Sequence, residues 1–392
     1  MMNHQPPFVV FGEEWGLHPT STQYLARRLA RTRRLLYVNT VGLRPPRLNL
    51  YDVRRSFGKL RQWFLANGTR PANGLPNLHF YSPVRLPFNR FEAIRNWNRQ
   101  MLLSGLRQQL RLHNLEAPIL SVTLPIGAEV VGQLDESLLV YYIIDQYEEM
   151  PGWDRNYVRE LESLLLSKAD LVFVTSAQLQ KEKRASKAPV LLLPHGVEFE
   201  HFYAAASQPS PVPEEFRELP RPLLGFYGLL APWVDTTVLE QLARAFPKAS
   251  VVVIGPRWHE GPLLGSRPNL HWLGPRSYKE LPRYAAHFDV GLIPFRMDRL
   301  TRYASPLKFL EYLALGLPIV STPLPEFERF ADVVYPARSS EEFIEQVRLA
   351  LEDRTPERRQ LRFARAAAES WDARVTTMQQ HIEQALRARM VR

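Results

Sequence analysis

The chain has 392 residues, of which 45% are hydrophobic and 11% aromatic, which is enough apolar material for two globular domains. It contains no cysteine, so disulfides, thiolate metal ligands and a cysteine nucleophile are excluded, and a reducing compartment is favoured. Neither a signal peptide nor a run of about 18 apolar residues is present, so we expect a cytoplasmic protein without a spanning helix.

The net charge of +10 is concentrated in the first third of the chain. Residues 1–120 hold 18 Lys and Arg but only five Asp and Glu. A surface of this charge favours an anionic partner, and composition alone leaves open whether that is nucleic acid, acidic lipid or a phosphorylated substrate.

The first half predicts strands separated by helices, which is the order of a parallel α/β sheet. Strand 8–12 ends at Gly12 and precedes a helix over 21–33. The loop between this strand and the helix has only isolated glycines, so it does not contain the glycine-rich fingerprint of dinucleotide-binding proteins. A long helix is predicted over 90–113. The other strands of this half are predicted at 35–39, 78–81, 118–123, 138–144, 171–176 and 190–197.

Segment 44–76 combines cations with aromatic side chains. A helix of this composition can lie in a bilayer interface, with its apolar edge in the lipid and its cations on anionic head groups. The alternative is a helix that packs the same edge on the protein's own core. Because the whole first third is basic, we predict that an anionic membrane surface is contacted by Arg54, Arg55, Trp63 and Phe64.

Two ionisable side chains follow apolar runs of this half. Asp145 comes directly after 138–144, at the carboxyl edge of the predicted sheet, where open α/β folds bind their ligands. His195 lies near the end of 190–197, beside Gly196. The structural alternatives are a capping carboxylate for Asp145 and a hydrogen-bonded loop histidine for His195.

Segment 204–222 is polar and rich in proline, which predicts a linker between an N-terminal domain, 1–203, and a C-terminal domain, 223–371. The last part of the chain, 372–392, is predicted to be helical and to pack back on the N-terminal domain. Within the C-terminal domain, strands are predicted at 223–228, 250–255, 270–274, 290–295 and 319–322, with helices over 236–246 and 278–288.

The segment 305–318 predicts one short helix before the last of these strands. Ser305 is its predicted N-cap, Pro306 its first residue and Gly316 its end. Because the carboxyl ends of parallel strands share one edge, we expect the helix N-terminus to meet the ends of the neighbouring strands. Those ends are Gly228, Gly255, Gly274 and Phe295.

Lys308 falls in the first turn of this helix, where the dipole disfavours a cation. Glu311 lies on the same face, one turn further on. A phosphate bound at the helix N-terminus would contact Lys308, and Glu311 could accept hydrogen bonds from nearby hydroxyls. This pair of side chains suits a ribose diphosphate, which carries both phosphates and hydroxyls. The alternative is an ordinary Lys–Glu surface pair.

Together these motifs resemble those of nucleotide-sugar glycosyltransferases with the GT-B fold. That resemblance implies an α/β chain with two Rossmann-like domains of doubly wound parallel sheet, which face a central cleft. Among the bacterial enzymes of polysaccharide and cell-envelope synthesis, the chain is similar to the xanthan-type glucuronosyltransferase. The residues that carry the resemblance are 169–176, 193–198, 225–228 and, above all, 305–320.

The resemblance also implies roles for single residues. Lys308 would contact the donor diphosphate, Glu311 the ribose and Tyr278 the base, while Asp145 would be the catalytic base. Many retaining members of the fold carry a glutamate where this chain has Tyr303. Inverting transfer is therefore expected, with Asp145 taking the proton of an acceptor hydroxyl.

The donor is expected to be a UDP- or GDP-linked sugar. No Asp-x-Asp triplet is present, so cations and the helix N-terminus are expected to neutralise the diphosphate without an obligatory metal or other cofactor. Arg257 and Arg296 are candidates for this role, or else plain surface cations. The predicted donor site also includes Gly228, Ser305 and Pro306. The residues predicted on the acceptor side or in the cleft are Gly12, Glu13, Trp15 and His195.

The acceptor is expected to be a lipid-linked glycan or polysaccharide precursor, with the enzyme held peripherally at the inner face of the cell membrane. One alternative is a nucleotide-sugar 2-epimerase of the same fold, which is expected to place several carboxylates and histidines around the sugar. Another is a non-catalytic GT-B scaffold that binds partners or anionic polymers. Nucleic acid is not an expected partner, because no recognition motif accompanies the basic surface.

Overall fold

The computed structural model describes residues 5–16, 19–40, 75–86, 91–208, 211–258, 261 and 263–390. It divides into two compact units, each built on one parallel sheet. The first unit consists of Met1–Thr175, Leu179–Leu193 and Val375–Arg392, and the second of Ser176–Gln178 and Pro194–Arg374.

The first unit contains a seven-stranded sheet in the order β3-β2-β1-β4-β5-β6-β7. Its strands are runs of Leu, Ile, Val and aromatic residues, most of them buried, as expected for a sheet covered on both faces. The strands are β1 (Phe8–Gly12), β2 (Leu35–Asn39), β3 (Leu78–Tyr81), β4 (Ile119–Val122), β5 (Leu138–Ile143), β6 (Leu171–Val174) and β7 (Val190–Leu192). The helices of this part of the chain are α1 (Ser21–Leu29), α2 (Glu92–Leu112), α3 (Arg155–Lys168) and α4 (Ala177–Glu182).

The second unit contains a six-stranded sheet in the order β10-β9-β8-β11-β12-β13. Its strands are β8 (Leu223–Tyr227), β9 (Ser250–Ile254), β10 (Leu270–Trp272), β11 (Val290–Ile293), β12 (Ile319–Ser321) and β13 (Val334–Pro336). The remaining helices are α5 (Phe199–Ser207), α6 (Thr236–Ala245), α7 (Leu281–Ala285), α8 (Leu307–Ala314), α9 (Ser340–Glu352), α10 (Pro356–Ala367) and α11 (Trp371–Met390).

Both sheets are doubly wound. When the strands of each sheet are numbered along the chain, both sheets contain the order 3-2-1-4-5-6. The chain therefore adds strands on one side of the first strand and then, after a reversal at the fourth strand, on its other side. In folds of this kind ligands bind at the carboxyl ends of the strands beside that reversal. The relevant edges are therefore the ends of β1 and β4 in the first unit and of β8 and β11 in the second.

Helix α8 is held against the second sheet by Tyr312. The Tyr312 hydroxyl accepts a hydrogen bond from the backbone N–H of Tyr227, at 3.1 Å, and donates to the backbone oxygen of Gly225, at 3.3 Å. Gly291 leaves room for the Tyr312 ring, because a Cβ at Gly291 would lie only 2.7 Å from Cδ2 of Tyr312. These contacts fix the N-terminus of α8 at the ligand-binding edge.

Most predicted elements are confirmed to within about three residues, whereas the strand predicted over 190–197 ends at Leu192. The N-cap of α8 is Pro306 and not Ser305, because Pro306 has the extended ψ of 121° and Leu307 is the first helical residue. Segment 204–222 is not a free linker. Part of it belongs to α5, and Phe216 is buried in the core of the second unit, which begins at Pro194 rather than after residue 203.

The predicted membrane-facing residues Arg54, Arg55, Trp63 and Phe64 lie outside the described residues. In the part of the chain that the structure describes, no helix combines the length and the apolar character needed to cross a membrane. Residues 375–392, the greater part of α11, belong to the first unit, where Arg33 and Glu383 form an ion pair at 3.5 Å.

Candidate functional site

Lys308 lies in the first turn of α8, at the carboxyl edge of the second sheet. Its ammonium is 5.3 Å from the ring centroid of Phe226 and 4.8 Å from that of Phe295, so it rests against two aromatic faces. Gly228 leaves room for the side chain: a Cβ there would lie 2.9 Å from the Lys308 Cε, and its φ of +132° favours glycine. The ends of β8 and β11 thus position this cation.

The surroundings of Lys308 disfavour its positive charge. Burial lowers the pKa of Lys308 to about 8, and the charge of Glu311 opposes that shift. Among the described residues, no carboxylate forms an ion pair with it. In addition, the N-cap Pro306 offers α8 no side-chain acceptor. The Phe309 N–H donates to the Pro306 oxygen at 3.0 Å, so the N–H groups of Leu307 and Lys308 are the ones open to another acceptor. A bound anion would interact favourably with both the Lys308 ammonium and these N–H groups.

Glu311 is buried on the same face of α8. Its Oε2 accepts a hydrogen bond from the Tyr227 hydroxyl at 2.7 Å, and the Tyr278 hydroxyl also bonds to the carboxylate. Burial raises the pKa of Glu311, whereas these hydrogen bonds and Lys308 act in the opposite direction. A carboxylate can accept about four hydrogen bonds, of which two come from these tyrosines.

Tyr278 is fixed from its other side by His201. The two rings stack with centroids 5.2 Å apart, and His201 Nε2 lies 3.2 Å from the backbone oxygen of Tyr278. The structure therefore brings Lys308, Glu311 and Tyr278 together at one edge of the second unit. Sequence analysis missed Tyr227 and His201; the position of Tyr227 at the end of a predicted strand was the one available signal.

The other predicted donor-site residues lie around this centre. Arg257 follows β9 and Arg296 follows β11, and both are exposed. The backbone N–H of Arg296 donates to the oxygen of Trp233 at 2.8 Å, which anchors the loop. Within the described ranges neither arginine forms an ion pair. Ser305 is partly buried at the start of α8.

Two carboxylates lie at the ligand-binding edge of the first unit. Asp145 follows β5 and is partly buried; burial raises its pKa to about 7, and the charge of Glu13 adds to the shift. Glu13 follows β1, and Thr20 donates to its Oε2 at 3.0 Å. Burial also raises the pKa of Glu13. A carboxylate with a pKa near neutrality is suited to general base catalysis.

The loop after β1 is held by aromatic contacts. Trp15 packs edge-on against Tyr37, at a centroid distance of 4.8 Å, and against Phe80, at 5.0 Å. The Tyr37 hydroxyl donates to the backbone oxygen of Glu13 at 2.8 Å. Gly12 allows this contact, since a Cβ there would lie 2.2 Å from the Tyr37 oxygen. Gly12 and Trp15 thus support the position of Glu13.

His195 belongs to the second unit, whereas Gly12, Glu13 and Trp15 belong to the first. Its ring is buried and packs edge-on against Trp371, at a centroid distance of 6.3 Å. Burial and the charges of Arg374 and Arg329 lower the pKa of His195 to about 3, so the imidazole is neutral. These contacts favour a structural role for His195.

Part of the chain is similar in sequence to known glycosyltransferases. Residues 236–387 match a family model described as glycosyl transferase-like. Over 179 residues the chain is 31% identical to a protein of Bacillus subtilis (strain 168) whose name assigns it to teichuronic acid biosynthesis, the glycosyltransferase TuaH. That match covers 44% of this chain and 45% of the relative, so it spans less than half of either.

Several solved structures resemble nearly the whole chain. Sucrose-phosphate synthase from Thermosynechococcus elongatus has a TM-score of 0.69 at 14% identity, over 98% of this chain and 100% of that one. A UDP-forming α,α-trehalose-phosphate synthase from Burkholderia vietnamiensis has a TM-score of 0.68 at 12% identity, over the same shares. Identities this low establish the fold alone. The predicted fold class is confirmed: the chain has the GT-B fold, and its residues 236–387 carry a glycosyl transferase-like sequence.

Proposed function

We propose that the protein is a glycosyltransferase that moves a sugar from a nucleotide-diphosphate sugar to a hydroxyl of a cell-envelope glycan precursor. The observation that carries the proposal is the unpaired ammonium of Lys308 at the open N-terminus of α8, one turn from the buried Glu311. The glycosyl transferase-like family match and the relative named for teichuronic acid biosynthesis support the same activity.

In the proposed donor complex, the diphosphate binds to Lys308 and the first N–H groups of α8. Arg257 and Arg296 are close along the same edge and supply further positive charge. The ribose hydroxyls donate to Glu311, and Tyr278 lies beside the base. These cations suffice to neutralise a UDP- or GDP-linked donor, so the proposal includes no metal ion. Among the described residues, no three His, Asp or Glu are grouped so as to hold one.

In the proposed reaction, Asp145 accepts the proton of an acceptor hydroxyl. The hydroxyl oxygen then forms a bond to the anomeric carbon while the bond from that carbon to the diphosphate oxygen breaks. The nucleoside diphosphate leaves with the electron pair of that bond, and Lys308 with the helix N-terminus stabilises its charge. A single displacement of this kind inverts the configuration of the anomeric carbon.

The acceptor proposal is a lipid-linked glycan at the cytosolic face of the membrane. It is supported by the excess of cations in residues 1–120. Such a surface attracts anionic head groups, and each cation near the surface contributes about 1 kcal/mol. The enzyme would then be bound peripherally to the membrane.

A thermal-unfolding panel of UDP-, GDP-, ADP- and dTDP-linked sugars tests the proposed function. One nucleotide family should stabilise the protein, by about 2.7 kcal/mol at 100 times its dissociation constant. The matched control is the free sugar at the same concentration, which should give no shift. If none of the nucleotides stabilises the protein, the donor proposal fails. Release of a free epimerised sugar without any acceptor would instead support the 2-epimerase.

The pH dependence of kcat/KM for the donor gives a second test. Asp145 must be deprotonated, so activity should rise as pH passes about 7, and Lys308 must be protonated, so activity should fall as pH passes about 8. The bound diphosphate raises the pKa of Lys308, so the alkaline limb should be absent from kcat. In a Lys308→Arg variant the alkaline limb should disappear, because arginine stays charged. A flat profile between pH 6 and 9 would contradict both assignments.

A further inference from the structure

Tyr147 carries a buried hydroxyl for which the described part of the chain supplies no hydrogen-bond partner. It begins the short 3₁₀ turn Tyr147–Glu149, two residues after Asp145. The side chain is 2% exposed, and its ring lies parallel to that of Trp153, with centroids 5.7 Å apart. Across the described residues the Tyr147 oxygen has no hydrogen-bond partner. Because leaving a buried polar group unpaired costs stability, such groups are rare in folded proteins and call for an explanation.

The hydroxyl of Tyr147 shares its surroundings with the two carboxylates of the first unit. The charges of Glu13 and Asp145 both act on it, and together with burial they raise the pKa of Tyr147 well above its usual value. The phenol is therefore a permanent neutral donor. Neither carboxylate accepts its proton in a hydrogen bond.

Gln146, which lies between Asp145 and Tyr147 in the chain, has an unpaired atom as well. The Gln146 side chain is buried, and its Nε2 donates to Glu148 at 3.0 Å, whereas its Oε1 has no partner among the described residues. Asp145, Gln146 and Tyr147 thus supply, in succession, a carboxylate acceptor, an amide acceptor and a phenol donor. Neighbouring hydroxyls of a sugar ring, each both donor and acceptor, would complement such a set.

We propose that Tyr147, with Gln146, binds the acceptor sugar next to the hydroxyl that Asp145 deprotonates. The inference rests on the proposed function, because it takes Asp145 as the base. The ligand class is a pyranoside with adjacent free hydroxyls: one donates to Asp145, and its neighbour accepts from Tyr147. Tyr147 is thereby an acceptor-binding residue, and its hydroxyl stays unpaired until the acceptor arrives.

The test compares Tyr147→Phe with the matched variant Tyr157→Phe. Tyr157 is a tyrosine of the same unit whose hydroxyl is already used, since it donates to Glu129 at 2.7 Å. The probes are the p-nitrophenyl β-glycosides of glucose, galactose and glucuronic acid, titrated against each protein by saturation-transfer NMR. Thermal unfolding of each free protein and its affinity for the nucleotide sugar are measured alongside.

For at least one glycoside, Tyr147→Phe should raise Kd about tenfold, which corresponds to about 1.4 kcal/mol. The Tyr157→Phe variant should leave that Kd unchanged. The unfolding midpoint should not fall in Tyr147→Phe, because the unpaired hydroxyl stabilises nothing in the free protein, but it should fall in Tyr157→Phe. Nucleotide-sugar affinity should be unchanged in both.

Three results would overturn the inference. The first is that no glycoside binds the wild type, and the second is that Tyr147→Phe binds it as well as wild type does. The third is a midpoint that falls as far in Tyr147→Phe as in Tyr157→Phe, which would show that the hydroxyl has a structural partner such as a bound water. If glycosides bind through Tyr147 but no nucleotide sugar stabilises the protein, the transferase proposal fails and the hydroxyl-binding site remains.

Discussion

Replacing Asp145 with asparagine should lower kcat for sugar transfer by at least 100-fold and leave the affinity for the nucleotide sugar unchanged. The amide preserves the shape of the side chain but cannot take up the acceptor proton, and general base catalysis typically contributes about 10²- to 10⁴-fold. In the proposed reaction Asp145 contacts the acceptor hydroxyl and not the nucleotide, so donor binding should not depend on it. Release of nucleoside diphosphate and donor-induced thermal shifts measure the two quantities.

The control is Asp154→Asn, at a carboxylate that caps α3 by accepting from the backbone N–H groups of Asn156 and Tyr157. That variant should lose at most about 1 kcal/mol of stability and keep its activity. Full activity of Asp145→Asn would remove the residue from the mechanism. If Glu13→Gln abolishes transfer instead, the neighbouring carboxylate is the base. A product whose anomeric configuration is retained, as determined by NMR, would contradict the single displacement.

Replacing Lys308 with methionine should weaken nucleotide-sugar binding by 10- to 100-fold. Hydrogen bonds to charged groups contribute about 1.5 to 3 kcal/mol, which corresponds to roughly that range of affinity. Methionine keeps an aliphatic stem between Phe226 and Phe295 and removes the ammonium. Since that ammonium has no ion-pair partner among the described residues, the free protein should not be destabilised by more than about 1 kcal/mol, the usual contribution of a cation–π contact.

The matched control for this prediction is Lys248→Met, the same substitution at an exposed lysine before β9, at the opposite edge of the second sheet. Isothermal titration with the nucleotide sugar that stabilises the wild type should give an unchanged Kd for Lys248→Met. An unchanged Kd for Lys308→Met would show that the anion binds elsewhere, and the α8 donor site would then be abandoned.

The sheets could be predicted from the sequence because their strands are long apolar runs. Strand β9 consists mainly of Val and Ile and is buried on both faces. A short run of β-branched apolar residues of this kind is typical of a central strand in a parallel sheet. The edge strand β13 was missed, since it has only three residues and one of them is exposed. Ser305 was predicted as the N-cap of α8 on residue preference, but the extended backbone of Pro306 takes that position.

The proximity of the residues in the proposed donor site was more predictable than that of the residues in the proposed acceptor site. Lys308 and Glu311 are three residues apart on one helix, so their proximity follows from local geometry. Glu13 and Asp145 come close only because of the sheet order, in which β4 separates β1 from β5. His195 lies in the second unit because the chain passes from one unit to the other at Pro194, which no local pattern marks. The unpaired hydroxyl of Tyr147 depends on side-chain packing, which the sequence does not encode locally.

The position of α11 has a consequence for biosynthesis. Val375, Met378 and Ile382 are buried, and residues 375–392 complete the first unit, yet they follow the entire second unit in the chain. At about 5 to 20 residues per second, the ribosome needs roughly 10 to 35 seconds to make residues 194–374. During that interval the nascent first unit exposes the apolar surface that α11 will cover. Its folding is therefore completed after synthesis of the second unit, and until then it is a candidate for chaperone binding.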